Sequence, residues 1–148
     1  MAITKVTSAL LNSAALTSKA FGTSSIMIGD DATGTIDAAD NNTGLGVDVF
    51  AALTSGDNNV AVGKSALGAI TTGTRNIAIG ASAGDAITTS TKNVVVGTAA
   101  LTTNTTGDNN VAIGDQALSD NSTASNNTAV GTSALTVNTT GTANTGIG

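Results

Sequence analysis

The chain has 148 residues, a formal net charge of −5 and a charged fraction of 10%, well under the about 25% of an ordinary globular domain. It contains no His, Cys, Trp, Tyr, Pro or Glu, which removes disulfides, thiolate chemistry, zinc-type sites and Ser-His-Asp catalysis. Its five basic residues, Lys5, Lys19, Lys64, Arg75 and Lys92, are scattered through an acidic sequence, a poor footprint for a nucleic-acid partner.

Residues 1–12 differ from the rest of the chain. Ile3, Val6, Leu10 and Leu11 have near-helical spacing, as in a short docking segment for another component or a cap over the first coil. No basic segment leads into an apolar run, so no secretory signal is read here. No later stretch approaches the roughly 20 apolar residues of a membrane span.

From residue 13 onward the chain repeats. Glycines stand at Gly29, Gly46, Gly63, Gly80, Gly97, Gly114, Gly131 and Gly148, every step being 17 residues. Each closes a short segment such as Asn59-Val60-Ala61-Val62-Gly63, Asn76-Ile77-Ala78-Ile79-Gly80 or Asn93-Val94-Val95-Val96-Gly97. The first unit, residues 13–29, keeps Ala15, Leu16 and Gly22 in register and has Ser25 where Asn stands later. The second, closing at Gly46, is the least regular and collects Asp30, Asp31, Asp37 and Asp40, with Asp48 just beyond. Three residues after the glycines lie Ala66, Ala83, Ala100, Ala117 and Ala134, each succeeded by Leu67, Gly84, Leu101, Leu118 and Leu135 in turn. The organisation read from this is eight units over 13–148 after an N-terminal segment 1–12. Disorder is disfavoured by an apolar fraction of 40% and a mean hydropathy of +0.22, both high for a disordered chain.

Helical repeats need about 33 to 47 residues for two helices, so a 17-residue unit predicts β-structure. The apolar residues inside Asn-Val-Ala-Val-Gly alternate with period 2, and Val and Ile favour strands where Asn and Gly favour turns. The expected fold is an all-β parallel solenoid of eight coils with strands about 4.8 Å apart. The larger pairs, Val60 with Val62 and Ile77 with Ile79, are placed inside the coil against Leu67, Ile70, Ile87 and Leu101. The Ala61 and Ala78 column then forms a smooth outer strip. Asn and Gly are expected in left-handed turn conformations, with the Asn side chains in hydrogen-bonded ladders. A stack this thin buries few aliphatics per ordered residue, so association of several copies is expected.

The Asn-Val-Ala-Ile-Gly segment followed by Ser-Ala-Leu resembles the head repeats of trimeric autotransporter adhesins of the YadA type. It is more similar still to versions in phage tail fibres and virion appendages, on phrases such as residues 104–114, Asn-Thr-Thr-Gly-Asp-Asn-Asn-Val-Ala-Ile-Gly. The resemblance covers the repeats and implies a left-handed parallel β-roll, three chains around one axis, in a protein that binds or displays. Against the bacterial adhesins, no signal peptide, heptad stalk or C-terminal membrane anchor is read, and Met1-Ala2-Ile3-Thr4-Lys5-Val6 is similar to the beginnings of many phage fibre proteins. The expectation is a structural virion protein of a bacteriophage, assembled in the host cytoplasm. It would be a homotrimeric tail fibre or capsid appendage that contacts other virion proteins and a host-cell surface. The alternative is the head of a bacterial surface adhesin.

No cofactor and no enzymatic role are expected. Asp30, Asp31, Asp37 and Asp40 are the one candidate cation cluster, since hard cations take carboxylate oxygens. They lack both the EF-hand spacing and the glycine-aspartate repeat of calcium-binding rolls, so a solvated acidic face is the simpler reading. Gly63-Lys64-Ser65 lacks the upstream glycine of a phosphate-binding loop and reads as a turn. Paired threonines, Thr71-Thr72, Thr88-Thr89, Thr105-Thr106 and Thr139-Thr140, raise ice binding as a distant alternative; alternate rather than adjacent threonines would suit it better.

Overall fold

A computed structural model describes Thr17–Lys19, Ile26–Gly29 and residues 39–148. Among these residues there are nine strands and no helix. β1 (Thr17–Lys19) and β2 (Ile26–Gly29) are followed by β3 (Thr43–Leu45), β4 (Val60–Val62), β5 (Ile77–Ile79), β6 (Val94–Val96), β7 (Val111–Ile113), β8 (Thr128–Val130) and β9 (Thr145–Ile147). All belong to one sheet in sequence order. From β2 to β9 every pair is parallel, and the register advances by one repeat each time: Val60 opposite Ile77, Ile77 opposite Val94, Val94 opposite Val111. The protein is an all-β parallel solenoid, with about six complete 17-residue turns between Gly46 and Gly148. The first unit supplies β2 to the parallel stack, but β1 within it runs antiparallel to β2, with Thr17 opposite Gly29.

The glycine column stacks as the period requires. A Cβ on Gly63 would lie 2.5 Å from the Gly80 carbonyl oxygen, and one on Gly80 would lie 2.4 Å from that of Gly97. Their φ angles, +126° and +136°, exclude an L-residue on a second ground. The N–H of each donates back across the sheet, Gly63 to the Leu45 carbonyl and Gly80 to the Val62 carbonyl, both at 2.8 Å.

The positive-φ positions are in part those expected: the glycine column and Asn41, Asn58, Asn109 and Asn126 take them, while the ladder asparagines do not. The repeating asparagines Asn59 and Asn76 are not among the positive-φ residues. The residue before each takes that conformation, as in Asn58 at +59° and Arg75 at +59°, and so do the second and fourth residues after each glycine, as in Ser65 and Leu67. Asn59 and Asn76 lead directly into β4 and β5 and donate their backbone N–H along the ladder, and the chain reverses one residue earlier.

The strands also face the other way from the expectation. Ala61, Ala78, Val95, Ala112 and Ala129 are fully buried, whereas Ile77 and Ile79 are 39% and 42% exposed. The reason is the narrowness of the coil. The opposite wall is filled by Phe50, Leu53, Leu67, Ile70, Ile87, Leu101 and Leu118, all fully buried. Gly146 marks the remaining clearance, since a Cβ there would come within 2.6 Å of Leu135 Cγ. Only a small side chain fits between strand and wall, so the alanine column is the core column and the Val/Ile pairs point out. The single inward valine, Val95, stands eleven positions after Gly84, the offset that separates Leu135 from Gly146. Where the wall residue is Gly rather than Leu, the strand side chain is larger.

Candidate interaction surface

The solenoid carries three sets of parallel files, each with its members one strand spacing apart, about 4.8 Å.

The first is the outer surface of the sheet. Its two files are Val60, Ile77, Val94 and Val111, and Leu45, Val62, Ile79, Val96, Ile113, Val130 and Ile147. Thr43 begins the first file and Thr128 and Thr145 continue it. Leu45, Ile77, Ile79, Ile113 and Ile147 are all more than a third exposed, and no charged residue occurs in any strand from β3 to β9. Soluble monomers rarely present contiguous apolar patches beyond a few hundred Å².

The second face carries threonines. Thr54, Thr71, Thr88 and Thr105 donate their hydroxyls to the backbone carbonyl one coil on, at 3.0 to 3.3 Å. Their neighbours Ser55, Thr72, Thr89 and Thr106 form the exposed file, which Thr123 continues after Ser122. Each adjacent pair therefore presents one hydroxyl-bearing side chain to solvent, giving a single exposed rank.

The third feature is internal. Asn42, Asn59, Asn76, Asn93, Asn110 and Asn127 are fully buried. Each Oδ1 accepts from the backbone N–H of the next asparagine at 2.8 to 3.0 Å. The Nδ2 of Asn59 donates to the Gly73 carbonyl at 2.9 Å and that of Asn76 to the Ser90 carbonyl at 2.8 Å. Such a ladder satisfies polar groups that would otherwise be costly to bury.

A second asparagine file escapes reading by motif. Asn104, Asn121 and Asn138 occupy the column that holds Leu53, Ile70 and Ile87 in earlier coils, and Asn104 and Asn121 are fully buried. The 17-residue alignment displays this substitution, but asparagine is so frequent in the chain that it passes as one more turn residue.

Ile3, Val6, Leu10 and Leu11, the candidate docking residues, lie outside the described residues, as do Asp30, Asp31 and Asp37 of the acidic cluster. Asp40 donates its backbone N–H to Asp57 Oδ1 at 2.7 Å, and no cluster of three metal-ligating side chains exists among the described residues. Gly63-Lys64-Ser65 leads into a turn, with Ser65 at φ +57°. The one displaced titration among the described residues is that of Asp85, whose carboxyl is raised above its ordinary value, first by burial and second by the charge of Asp48.

Compared with protein-family models, curated proteins and solved structures, the chain matches none. The likeness to adhesin and fibre repeats rests on the repeat residues themselves, such as those of 104–114. No helix among the described residues is long and apolar enough to cross a membrane.

Proposed function

We propose that this chain is a structural and display element of a bacteriophage virion: a homotrimeric fibre or appendage built from eight coils of a left-handed parallel β-roll. It projects and spaces a surface for contact with a host cell, performs no catalysis and holds no cofactor. Residues 1–12 join it to another virion protein.

The observation that carries this reading is the uncharged aliphatic face of β3–β9. Two files rich in Val, Ile and Leu on one side of a rigid rod match a neighbour bearing the same files at the same spacing. Packing three copies around one axis covers all three aliphatic faces at once and is self-limiting, because the symmetry closes. It also removes from water the aliphatic files that a single rod leaves exposed. The glycine and asparagine columns, which fix the rise per coil, suit a spacer.

Sedimentation equilibrium of the purified chain tests the assembly, with a mass of three chains expected. A well-folded monomer at micromolar concentration overturns it. Antibody labelling of intact particles tests the location: decoration of a projecting appendage is expected, and its absence from purified particles rejects the virion role.

A further inference from the structure

The interior changes character along the rod. In the coils after β3, β4 and β5 the wall opposite the sheet is closed by Leu53, Ile70 and Ile87, all fully buried. In the coils after β6 and β7 the same position holds Asn104 and Asn121, also fully buried.

These two asparagines are not equally satisfied. Asn104 Oδ1 accepts from the Gly107 N–H at 3.0 Å, and its Nδ2 donates to the Gly107 carbonyl at 2.9 Å. Asn121 repeats only half of this: its Nδ2 donates to the Ala124 carbonyl at 3.0 Å, while its Oδ1, buried, has no partner. The cause is one methyl group. A Cβ on Gly107 would lie 2.5 Å from Asn104 Oδ1, and the equivalent residue one coil later is Ala124. Its side chain stands where the asparagine oxygen would otherwise meet the backbone N–H.

A solenoid's stability is close to a sum over coils and their nearest neighbours. A coil that exchanges a buried aliphatic for an amide gives up hydrophobic transfer. One that also buries an orphan carbonyl carries a further penalty. We propose that the solenoid opens in a fixed order: the coils holding Asn104 and Asn121 yield first, and opening stops at the Ile87 coil. The rod is thus mechanically graded, stiff where its core is aliphatic and compliant where its core is amide. This does not depend on the number of associated copies, since the outer aliphatic files run past both kinds of coil.

Native-state hydrogen exchange on the full chain reads this directly. The amides of Leu67 and Leu118 are a matched pair. Each succeeds an alanine, each donates to an alanine carbonyl one coil on, and both residues are fully buried. Leu118 is expected to exchange about tenfold faster or more, reporting sub-global opening. In Asn104→Ile/Asn121→Ile the difference is expected to vanish. Equal rates in the unmodified chain, or an unchanged difference in the double variant, overturn the proposal. Should that variant not fold, Ala124→Gly gives an independent reading. Restoring a donor to Asn121 should slow Leu118 and leave Leu67 unaffected; no change at Leu118 overturns it.

Discussion

Asn59 Oδ1 accepts two hydrogen bonds from Asn76, from its backbone N at 2.9 Å and from its Nδ2 at 3.1 Å. One buried side-chain oxygen thus holds both the backbone N–H and the side-chain amide of the asparagine in the next coil. Asn76 Oδ1 in turn accepts the same pair of bonds from Asn93, at 3.0 and 3.1 Å.

Asn76→Ala therefore breaks more than one contact. It removes a donor from Asn59 Oδ1, leaves the Asn93 N–H without its acceptor and deprives the Ser90 carbonyl of a donor. Buried groups left unsatisfied cost about 1–3 kcal/mol each, so a loss of about 3 kcal/mol or more is expected in urea unfolding. A loss under about 1 kcal/mol would show that water replaces the ladder at no cost.

Gly97→Ala tests the glycine file. Its φ is +140°, and the new Cβ would stand 2.2 Å from the Gly114 carbonyl oxygen. A backbone atom cannot move aside as a flexible side-chain tip can. The expected cost is at least about 3 kcal/mol, in the range of backbone strain combined with overpacking. A thermal melt within a degree or two of the unmodified protein contradicts it.

The facing of the strands makes two neighbouring substitutions behave differently. Ala78 is fully buried and Ile79 is 42% exposed. Ala78→Asp places an unpaired charge in the core and is expected to abolish the β-sheet circular dichroism signal. Ile79→Asp is expected to keep that signal and shift sedimentation to a single chain. If Ile79→Asp unfolds the protein and Ala78→Asp does not, the strand orientation is reversed.

Asp85 links stability to pH. Its carboxyl titrates above the ordinary range because burial, and secondly the charge of Asp48, disfavour its ionised form. Between the unfolded and the raised folded value the native state binds more protons, so stability falls as pH rises through that window. Above that window the destabilisation is fully present. Asp85→Asn is expected to raise the melting temperature at pH 7 and to leave it nearly unchanged at acid pH. An equal shift at both pH values would point to packing rather than charge.

Residue spacing alone determined the period, the β character and the stacking of equivalent positions. A constant 17-residue step without insertions brings the same residue types into file, and steric exclusion at the glycines with amide complementarity at the asparagines makes that winding cohere. Alternation with period 2 says that Val60 and Ala61 lie on opposite faces, yet it is symmetric between inside and outside. The ordinary expectation that larger apolar residues go inward chose wrongly. Only the tertiary structure decided the matter, because the space beside each strand is whatever the opposite wall leaves, and at Gly146 that is 2.6 Å from Leu135 Cγ to a Cβ position. The shift of the left-handed turn to the residue before each asparagine has the same origin: Asn58 donates its backbone N–H to the Asp40 carbonyl of the preceding coil, a contact that no single repeat contains.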